Sequence, residues 1–165
     1  MTVEEKVRYI TERFPVFAKR TNRDEDSHGN IFFDMIAENG KNPSYPLTIS
    51  VSEDGCVISV GPIANVTGGK PISHEVAVGA ISDIVEDRVI FVTAFGKKDT
   101  YGVDTPSLTQ VFALTGREDD MQSEYDAFIK KISAPISKIA RPFTKLKGRF
   151  IITNYSGSLK LEIIR

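Results

Sequence analysis

A chain of 165 residues, 41% hydrophobic and 26% charged, is the size of one domain, and a domain of this length buries roughly two thirds of its unfolded surface, enough for a self-sufficient core. No apolar run approaches the ~20 residues of a membrane span, and one cysteine, Cys56, excludes an internal disulfide. The opening MTVEEKVRYI is charged early and lacks the basic-then-apolar order of a secretory signal, so a soluble, cytoplasmic, single domain over residues 1–165 is expected.

The net charge of −1 conceals an asymmetry. From Ala127 to Leu161 there is no Asp or Glu but there are eight basic residues, among them Lys138, Arg141, Lys145, Lys147 and Arg149; the remainder carries 13 basic against 22 acidic residues, a balance of −9. Such a separation bears on partners rather than on fold.

Val3, Val7, Ile10 and Phe14 recur at helical spacing, Thr2 and Glu5 stand in the capping-box relation, and Pro15 forbids continuation. The pattern predicts a helix from Val3 to about Arg13. Residues 15–30 are polar and turn-rich and read as a connection. Ile31, Phe33, Met35 and Ala37 alternate as a strand, although NIFFDMIAENG also fits a short helix closed by Gly40. In LTISVSEDGCVISVG, Asp54-Gly55 has the chemistry of a two-residue hairpin turn. That turn pairs Val51 with Ile58, Ile49 with Val60 and Ser50 with Ser59, apolar residues on one face and serines on the other.

After Pro71, the stripe Ala77, Ala80, Ile81, Ile84 and Val85 predicts a second helix with Ser73 as N-cap. RVIFVTAF reads as a buried strand and SLTQVFALT as an alternating one. Met121, Tyr125, Phe128, Ile129 and Ile132 mark a third helix, acidic in its first turn and basic in its last. RFIITNY and SLKLEII flank Ser156-Gly157 as a second hairpin, pairing Ile152 with Leu161 and Phe150 with Ile163.

The order α-β-β-β-α-β-β-α-β-β predicts an α+β domain, a mainly antiparallel sheet of about six to seven strands with helices packed on one face. Up to the third helix this order is similar to that of the small chaperones that hold bacterial secretion substrates. The likeness is one of element order, and no residue motif accompanies it.

TGGKP is the nearest approach to a chemical motif. A phosphate-binding loop requires GxxxxGK followed by Ser or Thr, but here the first glycine position is Ala64 and the hydroxyl position is Pro71. What survives is a weaker anion-binding candidate, Gly68, Gly69 and Lys70 before a helix start. The plainer reading is a loop made pliable by its glycines. Asp24, Asp26, Gly29 and Ile31 match the opening of a calcium loop, yet position twelve is Met35 where a bidentate glutamate is required; an acidic turn is preferred.

Cys56 shares a face with Ile58 and Val60 and reads as core. With His28 and His74 as the two histidines, spacing assembles no zinc site, and no nucleophile elbow or dinucleotide fingerprint is present. No catalytic residue, metal or cofactor is therefore assigned. Phe143, Phe150 and Tyr155 lie among the C-terminal cations, but they follow the apolar pattern of strands, and the pI is about 6.1, so nucleic acid is disfavoured. Lys138, Arg141, Lys145, Lys147 and Arg149 are instead candidates to meet an acidic protein partner or a second copy. The favoured function is a non-catalytic protein-binding or interaction module, chaperone-like or regulatory; the alternative is a small-ligand or anion-binding protein, or an enzyme whose site is built from scattered polar residues.

Overall fold

Helix α1 (Val3–Arg13) opens on the expected capping box: in the computed structural model Glu5 donates its backbone N–H to Thr2 Oγ1 at 3.2 Å, and Thr2 donates its own to Glu5 Oε2 at 2.8 Å. Two amides that a helix start leaves without partners are thereby satisfied. The structure describes residues 1–61, 64–95, 106–113 and 149–164, with 106–113 as backbone. The predicted third helix and residues 138, 141, 145 and 147 lie outside the described residues.

Residues 15–30 are more than a connection. A 3-10 turn (Pro15–Lys19) leads into strand β1 (Thr21–Glu25), which pairs antiparallel with β2 (Ile31–Ala37). β1 escaped the periodicity reading because it is an edge strand with largely exposed polar side chains, and such a strand shows no alternation of apolar residues. Its turn is built by Asp26, which accepts the N–H of His28 at 2.8 Å, the N–H of Asn30 at 3.0 Å and the side-chain amide of Asn30 at 2.9 Å.

β3 (Leu47–Ser52) and β4 (Gly55–Val60) form the first predicted hairpin, but the register is displaced by two residues: Val51 faces Cys56, Ile49 faces Ile58 and Leu47 faces Val60. The turn residues are Glu53 and Asp54. Gly55 belongs to the strand, where Cys56 exchanges backbone hydrogen bonds with Ile72 at 2.8 and 2.9 Å. A displacement of two preserves every side chain's face, so all six apolar partners are fully buried as the alternation required. Lys6 of α1 secures the turn by donating from Nζ to the carbonyls of Ser52 (3.0 Å) and Glu53 (2.7 Å).

Helix α2 (His74–Val85) starts on the predicted Ser73 cap, whose hydroxyl accepts the Val76 N–H at 3.4 Å. Ala77, Ile81 and Ile84 are buried, whereas Val85 points to solvent. The helix ends with Arg88 N–H on the Asp83 carbonyl (2.8 Å), Asp87 N–H on Ile84 (3.1 Å) and Asp87 at φ +60°. This is a Schellman ending with aspartate where glycine is usual. α1 touches β2, β3 and α2, and α2 touches β4.

The strands divide into two antiparallel sheets. The first has the order β1-β2-β3-β4-β5, with β5 covering Ala64–Asn65. The second has the order β7-β6-β8-β9, built from β6 (Val89–Phe95), β7 (Pro106–Ala113), β8 (Arg149–Asn154) and β9 (Lys160–Ile164). In its terminal hairpin Ile152 faces Leu161 and Phe150 faces Ile163, the predicted register. A strand's own alternation says which side is buried and not which ladder it joins, so the division had no local signal. One apolar cluster joins the sheets, with Met35, Leu47, Ile49 and Ile58 from the first, Phe91 from the second and Ile81 from α2. Among the described residues, no helix is long and apolar enough to cross a membrane.

Candidate functional site

The segment between β2 and β3 folds over one face of the second sheet and is fastened by asparagines. Asn39 donates its side-chain amide to the carbonyls of Tyr45 (3.3 Å) and Tyr155, and its Oδ1 accepts the Asn42 N–H at 3.0 Å. Asn42 in turn donates to Thr153 Oγ1 and the Asn154 carbonyl, both at 3.4 Å. Tyr45 reaches Thr93 of β6, hydroxyl to hydroxyl, at 2.9 Å, and packs against Phe91 with ring centroids 6.0 Å apart.

This arrangement leaves a cavity of about 400 Å³, within the range of small-ligand sites. Period-two alternation explains its contents. Thr93 and Phe95 of β6, then Arg149, Ile151 and Thr153 of β8, then Lys160 of β9 all belong to one face, because the ladder sets Phe95 beside Arg149, Thr93 beside Ile151 and Lys160 beside Thr153. Asn42, Ser44 and Tyr45 supply the facing wall.

Two cations and one carboxylate share this face, because Glu162 is the cross-strand partner of Ile151. Arg149 and Lys160 line the cavity, and among the described lining residues there is no carboxylate. Arg149 is held rather than loose: its Nε lies 2.8 Å from Glu162 Oε1, and its guanidinium carbon sits 4.9 Å from the centre of the Phe95 ring. Such a placement orients a cation before any ligand arrives. Burial pushes the Tyr45 phenol above its usual range, with the Thr93 hydrogen bond opposing in part, so this wall stays neutral and able to donate. Together the groups offer cations and hydroxyls to an anion.

The other candidate residues lie elsewhere. Gly68 and Gly69 have φ of +65° and +78° in a turn that uses its own amides: Gly68 N–H meets the Asn65 carbonyl at 3.3 Å, Gly69 N–H meets Asn65 Oδ1 at 2.8 Å, and Lys70 N–H meets the Thr67 carbonyl at 3.4 Å. The first helical residue is His74, beyond the Ser73 cap. Of the basic partner candidates Arg149 alone falls among the described residues. Asp26 spends its carboxylate on the β1–β2 turn, and Met35, the twelfth position of the calcium pattern, is fully buried in the core. Cys56 is buried, its thiol pushed up to about 11 by loss of solvation. His74 sits 2.9 Å from Glu75 through Nε2 and edge-on to Tyr9. Among the described residues no three of His, Cys, Asp and Glu cluster as metal ligands would.

Tyr45, Thr93 and Thr153 escaped the sequence reading, but two of them left a trace. Thr93 interrupts the apolar run VIFVTAF and Thr153 follows FII, and both are almost completely buried. A hydroxyl inside an apolar strand demands a partner. Comparison with known proteins finds no matching family model, no matching curated protein and no matching solved structure.

Proposed function

We propose that this protein is a non-catalytic binding module that holds a small anionic ligand in the cleft between the 38–46 segment and the second sheet. One observation carries the reading: Arg149 and Lys160 both line a cavity whose other polar lining, among the described residues, is hydroxyl and amide. Among the described residues, the exposed large apolar side chains are Met1, Val16, Val76, Val85 and Ile164, spread over the N-terminus, the 3-10 turn, α2 and β9.

Thermal unfolding with a panel of small carboxylates and phosphates tests the proposal. A ligand at a hundredfold its Kd stabilises by about 2.7 kcal/mol, and each kcal/mol raises the melting temperature of a domain this size by roughly 2–4 °C. Lys160→Gln, at an exposed position, should remove the rise without changing the melting temperature of the free protein. A panel that leaves the wild type unmoved would defeat the reading. The basic stretch supports a second reading, an acidic protein partner or a second copy of the chain, in line with its freedom from carboxylates between Ala127 and Leu161.

A further inference from the structure

We infer that the outer face of the first sheet is an interaction surface for a second copy of this chain, docked through its carboxylate-free basic stretch; this rests on the second reading of that stretch given above. Alternation divides the sheet into two sides. Met35, Ile49 and Ile58 point to one side and join the cluster that holds Ile10, Ile81 and Phe91, so α1, α2 and the second sheet pack there. The opposite side carries Asp34 beside Ser50 and Asn22, with Phe32 and Ile36 flanking it along β2. Phe32, Asp34 and Ile36 are half-buried although β2 lies inside the sheet, as residues on the solvated side of an antiparallel sheet are.

One end of this side is acidic. Asp24 stands beside Phe32, and Asp26, Glu53 and Asp54 line a hollow of about 430 Å³ together with Phe32, Ser50 and Ser52. None of the ion pairs among the described residues includes Asp24, Asp26, Asp34, Glu53 or Asp54. Lys6 approaches the same end from the helix side, its ammonium held by the carbonyls of Ser52 and Glu53, and Arg23 alternates to the other side of β1. At the far end Arg20 and Glu38 pair with each other at 3.1 Å. The chain itself holds the complementary charge: eight cations and no carboxylate from Ala127 to Leu161, against −9 in the remainder. Each copy therefore carries both halves of a matching pair. Such a match steers encounter and fixes orientation, and Phe32, Ile36 and Val57 offer apolar contact between the carboxylates.

Sedimentation of the full chain with reciprocal charge reversals tests this. At low salt the wild type should associate, and Asp24→Lys, Asp34→Lys and Asp54→Lys made together should weaken association by about tenfold or more, since like charges then face each other. Arg141→Glu, Lys145→Glu and Lys147→Glu made together should do the same. Mixing the two triple variants should restore association, because the reversed face of one meets the reversed stretch of the other. Asp24→Asn with Asp34→Asn should give a smaller loss, and replaces the lysine triple if circular dichroism shows that lysine at half-buried Asp34 disturbs the fold. A wild type that stays monomeric, or association indifferent to both triples, overturns the inference together with the second-copy reading. Association lost with the basic triple but kept by the acidic one, or not restored on mixing, overturns the outer face and leaves the basic stretch as the contact.

Discussion

The backbone of Ile72 lies directly against Gly55. Its carbonyl accepts the Cys56 N–H at 2.8 Å, and a Cβ built on Gly55, whose φ is +140°, would press into that carbonyl well inside van der Waals distance. The glycine is required by a crossing chain, and this requirement, rather than turn chemistry, fixes the β3–β4 register. Gly55→Ala should therefore cost about 3 kcal/mol, combining backbone strain with overpacking. Gly68→Ala, at φ +65° with open space around the new methyl, should cost only about 1 kcal/mol. Urea denaturation of the two variants measures the difference, and equal losses would refute the close-approach account.

Cys56 makes stability depend on alkaline pH. Burial is the main cause of its raised pKa, with Lys6 opposing, and it lifts the thiol from 9.0 to about 11. The folded state then keeps a proton that the unfolded state releases. The associated stability is complete below pH 9 and falls by at most about 1.4 kcal/mol per pH unit up to the folded value. Urea midpoints between pH 8 and 11 should decline less steeply for Cys56→Ala than for the wild type. Tyr45 and Tyr155, also raised by burial, add a decline of their own that both proteins share. Parallel curves would show that the thiol does not titrate as described.

What could be read in advance follows a physical division. α1, α2 and the β8–β9 register were legible because capping residues, an apolar stripe and a local turn act within a few positions of one another. β1 was illegible because its partner, not its own side chains, makes it a strand. Gly55 misled because the residue that demands it, Ile72, lies in a separate segment of the chain. The cleft was illegible for the same reason, since Asn42, Thr93 and Thr153 are ordinary residues until the topology brings them together.

Millimolar calcium should leave the melting temperature unchanged. Asp26 already accepts three hydrogen bonds from His28 and Asn30, the side-chain amide of Asn30 first among the causes that hold its carboxyl below the usual range. Met35 offers no oxygen and is buried away from the turn. Calorimetric scans with and without the ion decide the matter, because a ligand stabilises only what it binds. An upward shift would mean that the β1–β2 turn opens to a metal.

The basic stretch predicts salt-sensitive association. If light scattering finds an oligomer, raising salt from 0.1 to 1 M shortens the Debye length from about 10 Å to about 3 Å, and the oligomer should dissociate. Arg141, Lys145 and Lys147 changed together to glutamate should have the same effect at low salt. An oligomer indifferent to both is held by apolar contact, and the charge asymmetry is then incidental to it.

The asparagine fastening has a consequence for the order in which the molecule forms. Asn39 reaches Tyr155 across 116 positions and Asn42 reaches Thr153 across 111, whereas α1, α2 and the first sheet are complete by Val85. Contacts of such long range come at a high loop-closure cost and tend to form slowly. During synthesis the N-terminal half can assemble its sheet while the floor of the cleft is still untranslated. The cleft is then among the last parts of the chain to appear, and a ligand seated there would act as a clasp, holding the final hairpin to a body already formed.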